Sequence, residues 1–152
     1  MTRRVFFSFH YESDIWRACQ VRNSWLTKGD SAGYVDAAAW ESVKRGGGRA
    51  IQNWIDGELR GTSVTAVLVG SDTAKSKWIR YEIERSIADG KGLLAIFVHN
   101  VKDQDRNMGN CGPNPLDEYR AYGPFASYDW VLHHGYHNLA TWVEAAAAQA
   151  GR

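Results

Sequence analysis

Trp78 and Glu82 stand four residues apart in the stretch SKWIRYEIERS, residues 76–86. Ile79, Ile83 and Ile87 recur there every four residues, which marks the buried stripe of a helix. At about 100° per residue, Glu84 falls well away from that stripe. Glu82 lies only about 60° from Ile79 and one turn after Trp78, on the same side. The pattern therefore puts a carboxylate and an indole together at the edge of a core. A carboxylate so placed can face positive charge and accept hydrogen bonds from hydroxyls. The indole gives a flat wall and excludes water, which strengthens the electrostatics. The plainer explanation is an edge residue paired with Arg85 or with a lysine from a neighbouring loop, since odd carboxylates are often structural.

The rest of the chain supplies a scaffold for such a pair. RRVFFSF, residues 3–9, suits a strand buried on both faces. Ser13 or Asp14 can cap a helix through DIWRACQVRNSWL. GYVDAAA follows as a short second strand, and KRGGGR, residues 44–49, reads as a loop. Ile51, Trp54, Ile55 and Leu59 have helical spacing. TSVTAVLVGS is the clearest strand, the helix of Trp78 and Glu82 is capped near Ser76, and LLAIFV makes a fourth strand. Residues 99–127 hold all three prolines and read as an irregular loop. YDWVL then offers a short edge strand, and NLATWVEAAAAQA a closing helix. This alternation predicts an α/β fold, an open and mostly parallel sheet of four to five strands with helices on both faces.

In such sheets ligands bind beyond the carboxyl ends of the strands. Strand one delivers Ser8 and His10 to that rim, strand two delivers Asp36 and leads to Trp40, and strand three delivers Gly70, Ser71 and Asp72. Each has a modest alternative: Ser8 as a turn former, His10 as a structural histidine, Asp36 as a cap, Trp78 as core. The seven tryptophans are many for 152 residues, and aromatic excess is what a pocket for a flat ligand needs.

The totals exclude several classes. One domain over residues 1–152 is expected from the length. A net charge of +1 argues against a dedicated nucleic-acid binder. No apolar run approaches the roughly 18 residues of a membrane span. MTRRVFFSFHYESD returns to charged residues too soon for a signal peptide, so a cytoplasmic location with reduced Cys19 and Cys111 is expected. No G-x-G-x-x-G follows strand one, and Ser8 and His10 stand where a phosphoryl-accepting receiver domain would need magnesium-holding acids. His133, His134 and His137 surround Gly135 without a third ligand at recognisable spacing, so a loop-to-helix junction is favoured over a zinc site.

Taken together, these segments resemble a family. RRVFFSFHYESD resembles the first strand and loop of TIR domains, and SVTAVLVGSDTAKSKWIRYEI their most specific segment: strand, serine, spacer, S-x-W, and a glutamate four residues on. The chain is most similar to the bacterial TIR-like branch that includes the Thoeris anti-phage subunit. VFFSFHY, DAAAWE, TSVTAVLVGS, WIRYEI, GPNP and YDWVLHHGYHNLATWV follow in that branch's order, from residue 4 to about 143, with a shorter segment before YDWV. The resemblance implies a flavodoxin-like, TIR-like sheet and an enzyme that cleaves the nicotinamide–ribose bond of NAD. The ADP-ribosyl part would become a cyclic or conjugated signal that activates a separate effector protein in anti-phage immunity. It implies Glu82 as the catalytic residue, with Trp78, Ser8 and His10 lining the same pocket; Asp36 and Ser71, at the strand ends on the same rim, join them as candidate NAD-binding residues. NAD is then a substrate, with no cofactor or metal required. His10 departs from many TIR domains, which carry arginine or a small residue there. Self-association is implied because TIR sites are often completed by a neighbouring copy. The competing reading is a non-catalytic TIR-like interaction module. Nicotinamide leaves as a neutral molecule, so the site needs no acid, only an ionised carboxylate facing the charge that develops on the ribose.

Overall fold

The computed structural model describes residues 3–26, 32–33 and 43–152. The apolar run Val64–Val69 becomes β3, with all six residues buried. It lies in the middle of the sheet and is covered on both faces, which is why its sequence shows no alternation. Around it stand β1 (Val5–Ser8), β2 (Ala32–Gly33), β4 (Gly92–Phe97) and β5 (Ala126–Asp129). Their order is β2-β1-β3-β4-β5, and every neighbouring pair is parallel. The helices are α1 (Tyr11–Leu26), α2 (Gly47–Leu59), α3 (Lys77–Ala88) and α4 (Gly135–Gln149).

Alternation along β1 divides the core. Val5 and Phe7 join Val64, Ala66 and Leu68 under Ala18, Val21 and Trp25 of α1 and Leu139, Trp142 and Val143 of α4. On the other face Phe6 packs with Ile51, Ile55 and Leu59 of α2, while Val67 and Val69 pack with Ile79 and Ile83 of α3. The expected open parallel sheet with helices on both faces is therefore what the chain forms. Within the second face, Ser86 Oγ donates to the Glu82 carbonyl at 2.7 Å and lies 2.7 Å from Thr65 Oγ1. This buried polar link fixes α3 against β3 at the turn that carries Glu82. Among the described residues no helix is long and apolar enough to cross a membrane.

Several local expectations are corrected. Helix α1 begins at Tyr11, ahead of the expected Ser13 or Asp14 cap. His10 takes the capping role: its Nδ1 accepts from the Ser13 N–H at 3.2 Å, and its carbonyl accepts from Asp14 N–H at 2.9 Å. The glycines of KRGGGR are a helix start rather than a loop, since α2 begins at Gly47. Gly47 has φ +81°, which a residue lacking Cβ adopts without strain. The second strand is Ala32–Gly33, and the remainder of GYVDAAA lies outside the described residues. The 99–127 segment contains a 3-10 helix, Pro115–Tyr122, whose start is set by Asn114 accepting from Leu116 N–H at 2.9 Å. Proline fits there because the first helical position has no intrahelical use for an N–H.

Candidate active site

Glu82 is the buried acid that the helix pattern places at a core edge. Ser76 caps α3, its Oγ accepting from Ile79 N–H at 3.3 Å, and this sets the register that turns Glu82 inward. Glu82 is only 7% exposed, further inside than an edge position. Ser8, the last residue of β1 and fully buried, donates from Oγ to Glu82 Oε1 at 2.9 Å. Burial pushes the Glu82 carboxyl up from 4.5 to about 8, and the Ser8 hydrogen bond offsets only part of that. A pKa of about 8 favours the protonated acid at neutral pH, so the ionised form expected from the sequence needs a neighbouring positive charge. Arg85 is not its partner: it pairs with Asp89 at 3.6 Å and with Asp56 at 4.0 Å.

Glu82 lies on the wall of a cavity of about 240 Å³. Phe6, Ile51, Ile55 and Ile79 form its buried apolar side, and the half-buried indoles of Trp54 and Trp78 also line it. Trp78 is held from two sides. Tyr81 meets it edge-on at 6.1 Å and is anchored by its hydroxyl to Asp56 Oδ1 of α2 at 2.6 Å. Lys77 Nζ sits 5.0 Å from the centre of the Trp78 ring, a cation–π contact. The lining turns polar outward, through Ser76 and His10 to the exposed side chains of Glu12 and Lys44, which pair at 2.6 Å. A dry acid beside two aromatic walls, opening onto a charged rim, can receive a flat cationic ring and the hydroxyls attached to it.

The family described as Thoeris protein ThsB, TIR-like domain, matches residues 6–103, a span that contains Ser8, His10, Trp78 and Glu82. The chain belongs to the ThsB TIR-like family. It is also 34% identical to "Putative cyclic ADP-D-ribose synthase ThsB1" of Bacillus cereus (strain MSX-D12) over 191 aligned positions, covering 94% of this chain and all of that protein. Because 191 aligned positions exceed the 152 residues here, that relative carries insertions this chain lacks.

In this ThsB TIR-like chain, His10, Trp78 and Glu82 share the cavity, and Ser8 reaches it through its bond to Glu82. His10 also keeps its Nδ1 engaged as an acceptor in capping α1. Ser71 is not among the cavity's lining residues. It lies two residues past the end of β3, against Gly112, where a Cβ would come within 2.3 Å of the Gly70 carbonyl and 2.7 Å of the Ser71 carbonyl. Asp36 lies outside the described residues. Among the lining residues that the sequence reading did not assign to the site are Trp54, read there only as part of a helical stripe, and the Glu12–Lys44 pair. The indole at the border of the α2 stripe was a usable signal for Trp54. Glu12 and Lys44 are 32 residues apart, and nothing in their spacing announces a contact. Away from the cavity, His133 is occupied as an acceptor, its Nδ1 bonded by Asp129 N–H at 2.7 Å. Gly135 is required because a Cβ there would lie 2.1 Å from the Trp130 ring.

A second buried carboxylate lies on the other side of the same rim. Asp14 of α1 is 2% exposed, and its Oδ2 has no hydrogen-bond partner among the described residues. Burial raises its pKa above the usual value, opposed chiefly by Arg17, whose Nη1 stands 3.7 Å from Oδ1. Gly70 packs directly on this carboxylate: a Cβ there would sit 2.4 Å from Oδ2. Arg17 in turn donates to the carbonyls of Val101 at 2.6 Å and Asn107 at 3.0 Å, pinning the segment after β4 to α1.

Proposed function

We propose that this chain cleaves the nicotinamide–ribose bond of NAD and passes the ADP-ribosyl group to a nucleophile, with a cyclic ADP-ribose species as product. The observation that carries the reading is Glu82, 7% exposed on the wall of a cavity lined by Trp54 and Trp78, with Ser8 as its hydrogen-bond donor. The naming of the Bacillus relative as a cyclic ADP-D-ribose synthase supports it.

The chemistry follows from the charges. The nicotinamide ring of NAD is a cation, and its entry displaces water from the cavity. A positive ring beside Glu82 favours the carboxylate, so the acid gives up its proton to solvent as substrate binds. The C1′–N bond then breaks with its electron pair going to the nicotinamide nitrogen, which leaves neutral. Positive charge spreads over C1′ and the ring oxygen of the ribose, and the Glu82 carboxylate faces it in a site of low dielectric. Trp78 and Trp54 flank the ring and exclude bulk water, so capture of C1′ falls to a nucleophile already in the site. A cyclic product requires that nucleophile to belong to the adenosine end of the same molecule, an adenine nitrogen or a ribose hydroxyl, folded back. A nucleotide released in this way would act on a separate effector protein.

Nicotinamide and an ADP-ribose species, identified by mass spectrometry after incubation with NAD and in lysates of phage-infected cells, are the expected products. Folded Glu82→Gln protein should form neither. Turnover retained by that variant refutes the assignment.

A further inference from the structure

The ion pair at the rim of the cavity has no part in the bond cleavage just described. Lys44 Nζ and Glu12 Oε1 lie 2.6 Å apart, join the start of α1 to the helical turn before α2, and both line the cavity. Their side chains are 45% and 65% exposed, whereas Ile51, Ile55, Ile79 and Glu82 on the inner side are buried. Lys44 is the first-ranking cause that holds the Glu12 carboxyl below its usual range. Size decides what reaches this rim. Pockets that enclose drug-sized ligands run from roughly 300 to 1,000 Å³. At about 240 Å³ the cavity is smaller than that, so it takes one end of a dinucleotide and not the whole. With the nicotinamide riboside end beside Glu82, the next group along the molecule is the diphosphate, and it must emerge at the mouth.

We infer that Lys44 is the diphosphate-binding residue of this site and that Glu12 is its internal competitor, holding the ammonium at the mouth until a dianionic linkage displaces it. The inference rests on the reading of the cavity as an NAD site. The lysine supplies a charge-assisted contact to phosphate oxygens, and the glutamate, left facing the same oxygens, opposes them. The pair therefore sets selectivity for nucleotides that carry a diphosphate over nucleosides that do not. Because the lysine touches a part of the substrate remote from C1′, its loss should raise KM with little change in kcat.

The test is binding on rapid mixing, read by quenching of tryptophan fluorescence before turnover, with NAD and nicotinamide riboside as probes. Wild type, Lys44→Met, Lys44→Arg and Glu12→Gln are compared, each checked for folding by circular dichroism. Lys44→Met should weaken NAD about tenfold, with Lys44→Arg restoring most of it, as befits loss of one charge-assisted contact. Glu12→Gln should tighten NAD about threefold by removing the competitor. Nicotinamide riboside should move less than about twofold throughout. Unchanged NAD affinity in Lys44→Met, parallel loss for both probes, or no NAD binding by the wild type overturns the inference. Selective NAD binding through Lys44 without cleavage sustains it while refuting the catalytic reading. Cleavage that is indifferent to Lys44 does the reverse.

Discussion

Glu82 and Asp14 are both nearly inaccessible carboxylates near the carboxyl end of the sheet, both with pKa raised chiefly by burial. They differ in what lies next to them. Glu82 adjoins a cavity and has a hydroxyl as its hydrogen-bond partner, so its desolvation is relieved by whatever cation enters. Asp14 adjoins backbone: Gly70 packs over it, Arg17 stands beside it, and it is not among the residues that line the cavity. A raised pKa alone thus does not separate the two acids; the cavity beside Glu82 does. Asp14 and Arg17 instead set the position of the segment that follows β4.

The strongest challenge to this contrast is to neutralise each acid in turn. Glu82→Gln should lower nicotinamide release at least ~100-fold while Asp14→Asn changes it less than about threefold, measured as kcat/KM with folded proteins. Equal losses would abolish the distinction. Acidity is the next lever. With the free-site pKa at about 8 and the carboxylate as the working form, kcat/KM should fall about tenfold per pH unit below 8. The kcat profile should lie at lower pH, because bound nicotinamide cation favours ionisation. Stability moves the other way. The folded acid keeps its proton up to about 8, whereas the unfolded one loses it near 4.5, so the native state binds more protons between those values. Stability therefore falls as pH rises across that window, by up to a few kcal/mol, and Glu82→Gln should escape the fall in thermal melts. Ser8→Ala removes the one hydrogen bond that favours the charged form, so the activity profile should shift to still higher pH. At pH 7.5 it should cost about three- to tenfold in kcat/KM, partly regained at pH 9. On the Asp14 side the activity effect should be smallest. Gly70→Ala drives a methyl into the carboxylate and should cost about 1–3 kcal/mol by denaturant melt, with turnover of the folded protein within about twofold.

Much of this was legible in the residues. Runs of apolar sequence with no alternation pointed to strands buried on both faces, and the isoleucine spacing of α3 put Trp78 and Glu82 on one side. What the spacing could not say was how deep that side lies. The cap at Ser76 and the buried link through Ser86 and Thr65 draw Glu82 inward, so the protonated acid is favoured at neutral pH where an ionised one was expected. The glycine triplet misled because glycine favours loops and helix termini alike, and only tertiary packing of Ile51 and Ile55 decides between them. His10 took a capping position that propensity assigns to serine or aspartate, since a ring nitrogen can accept the same N–H. Contacts made across long separations, such as Glu12 to Lys44 or Arg17 to Val101, have no local signature at all.

The shortness of β1 has a consequence for how errors in this protein would show themselves. Only four residues of that strand pair with β3, and Ser8 stands opposite Val67. Shifting the pairing by one place would bring Phe7 or Phe9 to the position of Ser8, and would move Arg4 or Ser8 into a place the core now fills with an apolar side chain. The register that buries the strand is thus the same one that sets a hydroxyl against the acid. A frame slip of one residue would cost both at once, so loss of the site would show itself as loss of stability.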